Sequence, residues 1–185
     1  MKNLISISII LMFLLLVSCN SNNGAKKISR IDSLSTILNQ LKAKMKNEEL
    51  SNYKLLYNTV RANNQFFKEN LTTLPNDTSF TNAFTMYGMI DKTFKRYFKN
   101  LEKYEEEIKL SEKQLTNLKN DVKNKLLTKE EFEKYFKEEL AAIFKLENEI
   151  KTSESTTAQY KKEYNKIHIR IETFKDSLAN TIKSK

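Results

Sequence analysis

Reading heptads from Phe80, every a position as far as Val122 is apolar: Phe80, Tyr87, Phe94, Leu101, Ile108, Leu115 and Val122. The matching d positions are Ala83, Ile90, Tyr97, Tyr104, Ser111, Leu118 and Lys125. In a chain with 30% charged residues, an unbroken series of this kind demands a long helix with one buried seam. A later segment repeats the pattern, with Phe136, Ile143, Ile150, Thr157, Tyr164, Ile171 and Leu178 at a and Phe132, Leu146, Tyr160, Ile167 and Phe174 among the d positions. An earlier one begins Ile31, Leu34, Leu38, Leu41, Met45, loses phase across Lys46 to Asn52, and resumes as Leu50, Tyr53, Tyr57, Val60, Phe67, Leu71 and Leu74. Apolar runs of period two are absent, so the fold class is all-α.

The chain has only two glycines and one proline, and they mark its organisation. Gly24 lies in a polar stretch, 19–27, that reads as a flexible tether reaching about 28 Å when extended. Pro75-Asn76-Asp77 is turn chemistry, and Asp77 or Ser79 can cap the helix that follows. Thr128-Lys129-Glu130-Glu131 is a capping box, which starts another helix. The expected domain is therefore 28–185, with helices over about 28–73, 79–126 and 129–182, each roughly 70 to 80 Å long. Phe and Tyr crowd the a and d sites and suit a core of three helices better than a thin two-stranded seam. The expectation is an elongated antiparallel three-helix bundle or coiled coil; a two-helix hairpin completed by another subunit is the alternative.

With turns near Asn76 and Leu127, uniform helical rise makes facing residues sum to about 153 between helices one and two, and to about 255 between helices two and three. The lost phase at Lys46 to Asn52 then lies level with Leu101 to Glu107 and with Asn148 to Ser155. Helix three turns polar there, giving a candidate layer of Glu48, Glu49, Tyr104, Ser153 and Thr157. Its functional reading is a hinge or ligand pocket; its plain reading is a register shift that needs small polar residues and water opposite it. Met86, Gly88 and Met89 form a candidate contact patch. His168, the only histidine, reads as a surface residue paired with Glu172, and Glu105 to Glu107 as a solvated face.

No glycine-rich phosphate loop, nucleophile elbow or histidine pair occurs. No catalytic residue, metal ligand, small-molecule substrate or cofactor is therefore expected, and no enzyme activity. The net charge is +9 from 32 basic and 23 acidic residues. Both signs alternate along the chain, which reads as solvated helix surface and not as a nucleic-acid or lipid-headgroup site. With one cysteine there is no intramolecular disulfide.

At the start, Lys2 precedes an apolar run from Leu4 to Leu16. About 13 residues fall short of the roughly 20 that span a bilayer and match a signal-peptide core. The run ends in Leu16-Val17-Ser18-Cys19, which resembles the lipobox of bacterial lipoproteins. The resemblance implies that 1–18 is a cleaved signal peptide, that Cys19 carries acyl chains, and that the protein is anchored by lipid in the cell envelope. Loss of Lys2 with the signal leaves a mature charge of +8. Asn20 follows the cysteine where an aspartate would mean retention at the inner membrane, so the outer membrane is favoured if the source is Gram-negative. An uncleaved transmembrane anchor is the alternative.

The Lys, Asn, Ile, Phe and Tyr bias resembles uncharacterised helical lipoproteins of Bacteroidota and of spirochaetes. Three roles are open: a structural or protein-interaction rod with a protein partner or a second copy, a surface adhesin, and a periplasmic holdase. The last is similar in charge and long helices to the tentacled trimeric chaperones of the envelope, without their strand-forming trimerisation region.

Overall fold

A computed structural model describes the backbone of residues 2–46, 49–71 and 77–184, with side chains from Asn23 onward in those ranges. Four helices are found among the described residues, where the sequence reading expects three: α1 (Lys2–Lys44), α2 (Glu49–Asn70), α3 (Thr78–Lys123) and α4 (Lys129–Lys183). No strand occurs among these residues, and the protein is all-α. The first expected helix is divided where its apolar phase slips. Met45 and Tyr53 are both buried, 4% and 6% exposed, yet their spacing of eight does not keep one stripe through Leu50 on a continuous helix. Ending α1 at Lys44 and restarting at Glu49 lets each stripe face a core.

The stretch expected to be a flexible tether is helical, because α1 runs through it from Lys2. Ala25, Lys26 and Lys27 are good helix formers, and Gly24 alone costs only about 1 kcal/mol. The Pro75 turn lies outside the described residues, but the cap after it is in place. Asp77 Oδ1 accepts from the backbone N–H groups of Ser79 at 2.8 Å and Phe80 at 3.1 Å, satisfying donors that the first turn of α3 leaves free. At α4 the capping box forms as its spacing requires. Glu131 donates its N–H to Thr128 Oγ1 at 3.2 Å, and its carboxylate accepts from the Thr128 N–H at 2.9 Å.

Helix α3 stops at Lys123, earlier than the apolar pattern suggests. Lys125 adopts φ 57°, the Leu126 N–H donates to the Asp121 carbonyl and the Lys125 N–H to the Val122 carbonyl. This is a Schellman ending with lysine at the left-handed position where glycine is usual.

Contacts divide the chain into two compact units. Unit 1 comprises Met1–Lys42 with Glu106–Leu146, and unit 2 comprises Ala43–Glu105 with Glu147–Lys185. In unit 1, α1 contributes Ile31, Leu34, Leu38 and Leu41 to the buried set, α3 contributes Ile108, Leu115 and Leu118, and α4 contributes Phe132, Phe136 and Ile143. Ion pairs join the same segments: Arg30 with Glu133, Lys42 with Glu112, and Lys119 with Asp32. Arg30 is held bidentately by Glu133 and lies 4.1 Å from the Phe136 ring centroid.

Unit 2 has an aromatic core drawn from α2, α3 and α4. Phe80 stacks on Phe174 at 3.8 Å, Tyr87 on Tyr164 at 6.0 Å, and the Tyr104 hydroxyl donates to the Glu149 carbonyl at 3.3 Å. Partner numbers in α4 thus fall as those in α3 rise. Likewise Tyr57 meets Phe98 and Phe67 meets Phe84. The heptad a residues of α3 are buried throughout except Leu101, which packs half-buried against this core. Each such side chain contributes roughly 1.5 to 3 kcal/mol through burial.

Candidate functional site

Along α2 the residues facing the core are Tyr53, Leu56, Val60, Asn63 and Phe67, a helical stripe with one polar member. Asn63 is 1% exposed, and an amide so buried is costly unless hydrogen-bonded. Its partners come from both other helices of unit 2. Asn63 Nδ2 donates to the Tyr87 hydroxyl at 3.1 Å and to Glu172 Oε1, while its Oδ1 accepts from Lys175 Nζ at 2.8 Å. The Tyr87 oxygen accepts from Asn63 and also lies 3.2 Å from His168 Nδ1.

Aromatic stacking completes the cluster. His168 lies 4.5 Å from Tyr164 and 6.4 Å from Tyr87, ring centroid to ring centroid. Glu172 Oε1 is 3.6 Å from His168 Nδ1, and Glu172 Oε2 is 3.5 Å from Lys175 Nζ. Burial, reinforced by Tyr164 and Glu172 and opposed by the Asn63 bond, pushes the Tyr87 hydroxyl far above an ordinary phenol. The pairing of His168 with Glu172 is legible in the sequence; the involvement of Asn63 and Tyr87 is not. The signal was the gap between Val60 and Phe67, a core turn with only Asn63 and Asn64 to fill it. Chemically the cluster is a polar layer that locks α2, α3 and α4 to one alignment.

The residues of the expected mid-helix layer that are described meet α4 at successive levels from Glu149 to Lys161. Glu48 lies outside the described residues. Glu49 is exposed and accepts from Lys161 at 3.2 Å and 3.3 Å, which with Tyr53 holds its carboxyl below the usual range. Tyr104 is buried beside Glu149, about 18 Å along α4 from Lys161 by helical rise. Thr157, 1% exposed, returns its hydroxyl to the Ser153 carbonyl at 2.8 Å. The break after Lys44 frees α2 from the register assumed for a continuous helix, and Glu49 meets α4 farther along than expected.

Near Glu49 a different group assembles. Tyr53 packs edge-on against Tyr97 at 5.6 Å, with Lys161 Nζ 5.4 Å from the Tyr53 ring. Burial, helped by Glu49, pushes the Tyr53 hydroxyl up to about 12, and burial with Glu154 does the same for Tyr97. Glu154 is itself raised by burial against an opposing Lys44.

The Met86, Gly88 and Met89 patch is divided. Met86 packs against the unit 2 core, Met89 is 47% exposed, and a Cβ built on Gly88 meets nothing within 4 Å. In unit 1, Glu139 occupies a heptad d position and one carboxylate oxygen is buried without a hydrogen-bond partner. Burial and then Glu138 raise its pKa. It lines a 270 Å³ cleft with Gln114, Asp121 and Tyr135. Among the described residues no group of three or more His, Cys, Asp or Glu side chains is placed to share a metal ion, and no helix is long and apolar enough to cross a membrane. The Cys19 side chain lies outside the described residues.

No protein-family model, curated protein or solved structure matches the chain.

Proposed function

We propose that this chain is a membrane-anchored lipoprotein of the cell envelope, moored through acyl chains on Cys19 after removal of 1–18. It works without catalysis, as a structural or protein-interaction element, and its helices form antiparallel three-helix bundles. The observation that carries the reading is Leu16-Val17-Ser18-Cys19, placed at the end of an apolar run of signal-peptide length and containing the chain's one cysteine. The fold is compatible with an oxidising compartment because packing and buried polar contacts hold it together without disulfides. The three-helix reading draws support from unit 2, where α2, α3 and α4 share one core.

Two measurements test this. Cells fed an alkyne-tagged fatty acid should label the wild-type chain and leave Cys19→Ser unlabelled; equal labelling of the two would remove the lipidation site. Crosslinking in intact cells should then trap a defined protein partner or a second copy on the helical region. Recovery of the uncrosslinked chain alone would count against the interaction role.

A further inference from the structure

We infer that the turn between α3 and α4, with the adjoining part of α1, is a second membrane contact: a lysine collar with a leucine at its tip that seats on the anionic headgroups of the bilayer holding the anchor. This rests on the lipid-anchor reading above. Over most of the chain basic and acidic residues are interspersed, but 23–28 and 122–129 carry Lys26, Lys27, Lys123, Lys125 and Lys129 and no acid at all. Unit 1 brings these two stretches together. Asn23, Gly24 and Lys27 line one side of an open cleft of about 530 Å³, and Val122, Lys125 and Leu127 the other.

The protein itself takes up only part of the collar's charge: Lys27 Nζ lies 4.9 Å from the Phe132 ring centroid and Lys129 acts on the Glu133 carboxyl. Arg30, Lys42 and Lys119 of unit 1 make ion pairs, while Lys26, Lys123 and Lys125 are exposed with none shown among the described residues. Of the nearby acids, Glu131 is bonded to Thr128 and Glu133 to Arg30, while Asp121 and Glu130 flank the lysine stretch of 122–129. Leu126 follows the left-handed Lys125, at the position of a Schellman ending where an apolar side chain usually folds back on the helix. Here it is 66% exposed.

An exposed leucine ringed by lysines matches a headgroup layer, with the apolar tip at the acyl boundary and the ammonium groups among phosphates. Cys19 precedes Asn23 by four residues on α1, about 6 Å of helical rise. Acyl chains inserted there bring the collar within about a Debye length of the anionic surface, and each lysine then strengthens contact about fivefold.

The test uses the full-length protein, lipidated in cells and reconstituted into vesicles of phosphatidylcholine, with or without about one-third phosphatidylglycerol. An environment-sensitive thiol probe is placed by Leu126→Cys, and as control by Leu110→Cys, an exposed site of the same unit (57%). In anionic vesicles the probe at position 126 should shift to the blue and resist aqueous iodide, while the probe at 110 stays fully quenched. Lys123→Gln/Lys125→Gln/Lys129→Gln should weaken that protection tenfold or more, by the roughly fivefold effect per lysine, with helicity unchanged by circular dichroism. Equal quenching at 126 and 110 overturns the inference, as does protection indifferent to phosphatidylglycerol. The anchor reading fails separately: the wild-type chain, whose only thiol is Cys19, would then take up probe.

Discussion

Asn63 shows how one side chain can fix the alignment of three helices. It satisfies Tyr87, Glu172 and Lys175 at once, so Asn63→Ala should leave the buried Tyr87 hydroxyl and the half-buried Glu172 and Lys175 short of a partner. The expected loss is about 1–3 kcal/mol in urea unfolding, with an unchanged loss in a Glu172→Ala background arguing against the network. Tyrosines give the molecule a second residue-scale signature. Tyr53 and Tyr97 hold their protons to about pH 12 in the folded state, against an ordinary value near 10. The folded state therefore binds the proton more tightly, and this stabilisation is complete below pH 10 and disappears as pH rises from about 10 through about 12. Unfolding followed by circular dichroism should show a loss of stability in that window, reduced in Tyr53→Phe/Tyr97→Phe. Sequence periodicity could flag Asn63 as an interruption in an apolar stripe, but not its partners, because hydrogen bonds between helices depend on an alignment that the break before α2 sets.

At the scale of the element, two backbone positions invite improvement. Gly88 is helical with open space around its missing Cβ, and Gly88→Ala should stabilise by about 0.5–1 kcal/mol by reducing the entropy lost on folding. Lys125 bears the left-handed turn that ends α3, and Lys125→Gly should gain a similar amount, about 0.5–1 kcal/mol, by relieving Cβ crowding. A thermal midpoint that falls for either variant would contradict the local geometry. The elements themselves were largely legible. The heptad a series of α3, the Asp77 cap and the Thr128 capping box read directly from spacing, since each depends on neighbours within a turn or two. The end of α3 was less so, because its left-handed residue is a lysine and carries no glycine signal. The slip near Lys46 was visible as lost phase, yet phase alone does not distinguish a strained continuous helix from two helices.

For the whole molecule, the proposed role rests on the amino terminus more than on any cleft. The polar cluster around Asn63 links three helices within unit 2, and the lysine collar lies in unit 1 beside the stretch leading from Cys19. Both fit the proposed role of a protein held in place at a membrane and presenting helical surface. The proposed anchor is read from local patterning, whereas a binding partner is recognised by surface shape that periodicity does not encode. Intact-mass analysis of the amino-terminal peptide, taken from protein extracted with the membrane fraction, tests the account most directly. A peptide beginning at Cys19 and heavier by its acyl groups is the predicted result, and a peptide beginning at Met1 with an unmodified Cys19 would contradict it.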